Sequence, residues 1–139
     1  MRYLLDTHIF IWYAKEQDNL SRDVLSILGD NESELLMSME SVKELLIAYK
    51  SKELLRKYWR TPIEMIDSIQ NEYCVRIVQP DMEVMRTMAK LTTNEAANHN
   101  DPSDHLIIAQ AITMRLPLIS GDHKFPFYAS QGLDLIYNE

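Results

Sequence analysis

Apolar residues in this chain come in short runs between polar stretches, and their spacing changes from run to run. Tyr3–Leu5 is a compact apolar run ending on Asp6, which has the length of a buried strand. His8–Ala14 predicts a helix and Lys15–Asn19 a polar loop. Ser21 can cap a helix reaching about Leu28, and Gly29-Asp30-Asn31 breaks it. Leu35–Ser38 reads as a second strand. From Met39 to Tyr49, Val42, Leu45, Leu46 and Tyr49 recur at helical spacing. Thr61, Pro62 and Glu64 mark another helix start, with a cap, a first-turn proline and a capping box. Cys74–Val78 predicts a third strand. Pro80-Asp81 opens a helix striped by Val84, Met85, Met88 and Leu91, and Met82, Met85 and Met88 are assigned to its core side. Thr92–Asn100 is polar and loop-like. Asp101-Pro102 starts a helix, and Leu106–Met114 is apolar enough to be buried on most sides. Pro117–Ser120 and Leu133–Tyr137 supply a fourth and a fifth strand.

Strands therefore alternate with helices, which predicts an α/β fold with a mainly parallel sheet. No linker, repeat or low-complexity segment divides the chain, so residues 1–139 are expected to form one domain. With only 3 glycines, a glycine-rich phosphate loop is excluded. The single cysteine, Cys74, excludes a disulfide framework and a cysteine zinc cluster, and fits a reducing cytoplasm. Asp6 and His8 interrupt the first apolar stretch, so it does not read as a signal peptide. Nothing reaches the ~18 apolar residues of a membrane span, so no membrane partner is expected. The charge is −7, from 14 basic and 21 acidic residues. A protein that coats a duplex by neutralising phosphates should be basic. This chain can meet nucleic acid only through a local basic rim or a bound cation.

Four acids stand out by position. Asp6 follows the first strand and Asp122 the fourth, and ligands of open parallel sheets bind outside the carboxyl ends of strands. Asp is also a common turn former there. Asp104 shares a helix face with Ile107, Ile108 and Ala111, so it sits at the mouth of a buried face. A first-turn acid favoured by the helix dipole, with Asp101 as cap, is the plainer account. Glu44 lies off the apolar stripe, on a face with Glu40, Ile47 and Ser51. Gathered at one sheet edge, these acids would raise each other's pKa values, and a divalent cation would relieve the conflict. Carboxylate oxygens without cysteine suit Mg²⁺ or Mn²⁺, the ions of phosphodiester hydrolysis.

Four blocks then resemble the PIN domain, and more narrowly the VapC-type ribonuclease toxins of bacterial toxin–antitoxin systems. They are Tyr3–His8, Ser38–Glu44, Asn100–Ala111, and Leu116–Asp122 with Phe125 and Tyr128. The resemblance spans nearly the whole chain. It implies a three-layer α/β/α fold with a central, mainly parallel sheet flanked by helices. It implies a metal-dependent endoribonuclease with its acidic site on Asp6, Glu44, Asp104 and Asp122, supported by the hydroxyls of Thr7 and Ser120. It also implies an RNA substrate, a homodimer and a small antitoxin partner. A non-catalytic PIN-like module that binds RNA or protein is the alternative. Three positions depart from the family pattern. Lys43 stands where family members often carry Trp, Ser103 where they often carry Phe, and His105 where they often carry Arg. His105 replaces a phosphate-binding Arg only in part, since histidine is mostly neutral at pH 7.

His8, His99, His105 and His123 make no HxxxH pair, so a zinc site is not expected. His8 reads as a helix-start residue, and His105 as a possible substrate contact. Lys50, Lys52, Arg56, Lys57 and Arg60 are the densest basic stretch, either a solvated face or an RNA-guiding rim.

Overall fold

The computed structural model describes residues 1–139. Five strands, β1 (Arg2–Leu5), β2 (Glu34–Ser38), β3 (Arg76–Val78), β4 (Leu118–Ser120) and β5 (Leu135–Tyr137), form one sheet. Seven helices connect them: α1 (Thr7–Lys15), α2 (Arg22–Leu28), α3 (Met39–Ser51), α4 (Glu53–Tyr58), α5 (Pro62–Asn71), α6 (Met82–Lys90) and α7 (Pro102–Met114). The strand order is β3-β2-β1-β4-β5 and every pairing is parallel. None of the helices is long and apolar enough to cross a membrane.

Strand alternation assigns the two faces of the sheet. Leu5, Met37 and Ile119 pack with residues of α1, α2, α3 and α5, including Ile9, Phe10, Val24, Leu45, Met65 and Ile69. Leu4, Leu36 and Leu118 face the other way, onto Ile107, Ile108 and Ala111 of α7, with Phe125, Tyr128 and Leu133 beside them. The sheet lies between two helical layers, the α/β/α arrangement that the family resemblance implies. Gly121 leaves room for a close approach just beyond β4, where a Cβ would lie a tight 3.2 Å from Cζ3 of Trp12 and 3.3 Å from the Asn138 carbonyl.

Several elements differ from the sequence reading. The third strand begins at Arg76, not Cys74, because Cys74 takes φ 55 and Val75 N–H turns to the Ile69 carbonyl. The basic stretch after Tyr49 contains an additional helix, α4, which buries Leu55 and leads to buried Trp59. Met82 lies outside the core at 64 % exposure, while Val84 carries the buried contact of α6. The polar segment 92–100 is a loop, as read from the sequence, but it buries Asn94 and His99.

Candidate active site

The chain crosses the sheet in one direction from β1 to β3, then returns to the far side of β1 with β4. The reversal falls between β1 and β4, and a crevice opens at the carboxyl ends of neighbouring strands there. Asp6 follows β1 and caps α1, and its Oδ1 accepts from Thr7 N–H at 2.8 Å. Its Oδ2 accepts from Ser120 Oγ at 2.7 Å. The same Ser120 oxygen accepts from Asp122 N–H at 3.1 Å, so one hydroxyl ties together the ends of β1 and β4. Asp122 Oδ1 accepts from Lys124 N–H at 2.9 Å and holds the following turn.

Glu44 enters from α3. Its Oε1 is 2.6 Å from Thr7 Oγ1, which lies 2.9 Å from Ser41 Oγ. A carboxylate only accepts, so the Thr7 hydroxyl donates to Glu44 and accepts the hydrogen of fully buried Ser41. Asp104 enters from the first turn of α7, beneath the Asp101 cap, whose Oδ1 accepts from Ser103 and Asp104 N–H. All four predicted acids line one groove, and Asp101, Thr7, Trp12 and Lys124 line it too. Oxygen atoms of Glu44, Asp101 and Asp104 lie within 4.8 Å of one another, and ligand atoms of His99, Asp104 and Asp122 are equally close.

This crowding appears in the proton affinities. Burial pushes the Asp6 carboxyl up, partly opposed by Ser120 and Thr7, and the Asp122 charge adds to the rise. Burial also raises Glu44, against the Thr7 hydrogen bond and with the charge of Asp6. Asp104 is pushed up to about 8, first by burial and then by Asp6, Asp101, Asp122 and Glu44. Outside the groove, Glu40 behaves differently. Burial would raise it, but hydrogen bonds from Lys43 (2.8 Å) and Ser103 (2.6 Å) hold it below the usual range. Lys43 and Ser103, two of the three departures from the family pattern, thus meet on one carboxylate between α3 and α7.

The donor set is oxygen-rich, free of sulfur and short of positive charge. It fits a hard divalent cation better than zinc. The third departure, His105, does not line the groove. Its Nε2 donates to the His99 carbonyl at 2.9 Å, which turns the ring toward the 92–100 segment. Sequence reasoning gave no site role to Ser41, His99, Tyr128 or Trp12, although Ser41 and Tyr128 belong to the family-like blocks. Ser41 had one available signal, its place one turn before Glu44. His99 had none, because a loop carries no periodicity.

The PIN-domain family model matches residues 3–130. The chain belongs to the PIN-domain family. Solved structures with the PIN arrangement of this chain include VapBC2 from Rickettsia felis bound to a promoter DNA fragment, at 17 % identity and TM-score 0.73 over 100 % of both chains. VapBC-1 from nontypeable Haemophilus influenzae matches at 23 % identity and TM-score 0.70, over 99 % of this chain and 98 % of that one. FitAcB from Neisseria gonorrhoeae matches at 20 % identity and TM-score 0.62, over 99 % and 97 %. At such identities these structures establish a shared fold, the PIN fold expected from the sequence blocks. No curated protein sequence matches the chain.

Proposed function

We propose that this protein is a divalent-metal-dependent endoribonuclease, the toxin of a toxin–antitoxin pair, acting as one PIN-type unit over residues 1–139. The observation that carries the reading is the convergence of Asp6, Glu44, Asp104 and Asp122. They come from four separate elements to one groove, and three of them bind protons more tightly than isolated carboxyls. Evenly solvated surface acids would not do so.

Asp6, Glu44, Asp104 and Asp122 would hold Mg²⁺ or Mn²⁺, with Asp101 at the groove's edge. When bound, the cation supplies the positive charge that phosphate requires and makes water a better nucleophile. The chain's own residues set the geometry. Ser120 and Thr7 N–H orient Asp6, and Thr7 Oγ1 orients Glu44. Lys124 lines the groove and offers a cation to a phosphate of the RNA strand. Lys52 lies in an adjoining groove that shares Trp12 and Glu44 with the acidic one, and extends that path. The fold shared with VapBC complexes supports a small antitoxin partner, and a homodimeric toxin is part of the same proposal, carried by the family resemblance of the sequence blocks.

The test is cleavage of total bacterial RNA by the pure protein with Mn²⁺, with Mg²⁺ and with EDTA, alongside Asp6→Asn and Asp104→Asn. Discrete fragments should form with either metal and vanish with EDTA. Both variants should lose at least about a hundred-fold in rate while keeping the native circular dichroism spectrum. An active, folded Asp6→Asn protein would overturn the assignment. RNA binding without cleavage in any metal would place the chain among non-catalytic PIN-like modules.

A further inference from the structure

Buried beside Asp104 stands a pair that the proposed chemistry does not use. His99 is 1 % exposed and Tyr128 is fully buried. Neither lines the acidic groove. His99 Nε2 lies 2.9 Å from Asp104 Oδ2, and His99 Nδ1 lies 2.9 Å from Tyr128 Oη. The Tyr128 oxygen also accepts from Asn94 N–H at 3.1 Å.

Counting hydrogens gives this row a direction. Tyr128 Oη receives the Asn94 hydrogen and must still place its own. The acceptor paired with it is His99 Nδ1. Nδ1 is then unprotonated, and the ring hydrogen sits on Nε2, facing Asp104 Oδ2. In the opposite tautomer Nδ1–H would point at Tyr128 and leave a buried hydroxyl hydrogen with no partner. The direction holds whether or not the other Asp104 oxygen, Oδ1, carries a proton. The ring is also fixed in place. His105 packs against it with ring centres 4.8 Å apart and Phe125 at 5.7 Å, and His105 Nε2 donates to the His99 carbonyl.

We propose that Tyr128 and His99 are positioning residues: Tyr128 selects the Nε2–H tautomer of His99, which donates to Asp104 Oδ2 and leaves Oδ1 as the oxygen offered to a cation in the groove. This rests on the reading of Asp104 as a metal ligand. Outer partners that orient a metal-binding carboxylate typically change affinity or activity ten- to a hundred-fold when removed. Tyr128 is thus more than a core aromatic, because its hydroxyl hydrogen decides which histidine nitrogen faces the acid.

Two measurements test this on the intact chain. Long-range ¹H–¹⁵N spectra of the metal-free protein should show His99 as the Nε2–H tautomer alone, and Tyr128→Phe should convert it to a mixture or to Nδ1–H. A wild-type protein holding the Nδ1–H tautomer would overturn the proposal regardless of activity. Mn²⁺ affinity, read from the free-ion paramagnetic resonance signal, should fall about ten-fold in Tyr128→Phe and ten- to a hundred-fold in His99→Leu. His99→Gln, whose amide can donate from the position of Nε2, should stay within about three-fold of wild type. Unchanged Mn²⁺ affinity in folded Tyr128→Phe and His99→Leu would reduce both residues to core packing. If His99→Leu does not fold, the tautomer spectrum and Tyr128→Phe still decide. Asp104→Asn separates the two readings. If it binds Mn²⁺ like wild type, the metal site itself is wrong and the positioning role falls with it. If it loses Mn²⁺ while Tyr128→Phe does not, only the positioning role fails.

Discussion

Asp104 holds its proton to about pH 8, because burial strips water from its charged form and Asp6, Asp101, Asp122 and Glu44 surround it with negative charge. An unfolded aspartate releases its proton near 3.8. Between these values the folded chain binds more protons than the unfolded one, so stability falls as pH rises. The melting temperature of the metal-free protein should therefore decline from about pH 4 to about pH 8. Asp104→Asn should flatten that decline and melt higher than wild type at pH 8, although it removes activity. Thermal melts across the range check this, and an identical slope in the variant would show that Asp104 does not carry it. Such a gain in stability on losing a functional group is expected where like charges are held together for chemistry. Sequence position alone marked Asp104 as a candidate, since it sits at the mouth of a buried helix face. It could not give the size of the shift, which comes first from burial and then from charges mostly far away in sequence. Nor could it expose His99, whose role depends on contacts with Tyr128 and Asp104 rather than on any local pattern.

Helix ends explain much of what periodicity left out. Arg115 follows α7 in the left-handed region at φ 55, with its N–H bonded to Ile112 O and Leu116 N–H bonded to Ala111 O. That is a Schellman termination, where glycine is the usual residue. Arg115 is exposed, so Arg115→Gly should raise stability by about 0.5–1 kcal/mol, measured by urea unfolding. The basic stretch after α3 divides in the same way. Arg56 Nη1 donates to the carbonyls of Tyr49 and Lys50 and so closes the end of α3. Lys52 lies exposed at the adjoining groove. Arg56→Ala should cost about 1 kcal/mol of stability. Lys52→Glu should leave the melting temperature unchanged and weaken RNA binding, with a reduced salt dependence. Equal RNA affinity in Lys52→Glu would remove the lysine from the RNA path. The helix α4 was illegible in sequence because its buried side is little more than Leu55, too short a stripe to set a period.

At the scale of the whole molecule, the acidic charge and the acidic groove belong together. A chain of net charge −7 presents phosphate with an unfavourable field, and a bound cation reverses it locally. Mn²⁺ should raise the melting temperature, and more at pH 8 than at pH 6, because metal binding displaces the proton that Asp104 otherwise keeps. EDTA should reverse the gain, and a metal effect equal at both pH values would argue against ligation by Asp104. The alternation of strand and helix runs was legible because each element buries a stripe that its own spacing records. From that alternation follow the α/β class and the placing of Asp6 and Asp122 at strand ends. Strand order left no such record. Only the tertiary structure put β4 beside β1 and so joined two residues more than a hundred positions apart through one Ser120 hydroxyl. The physical reason is range. Periodicity reports which side of an element meets the core, whereas the partners of Asp6, Glu44 and Asp104 are set by hydrogen bonds and charges between elements.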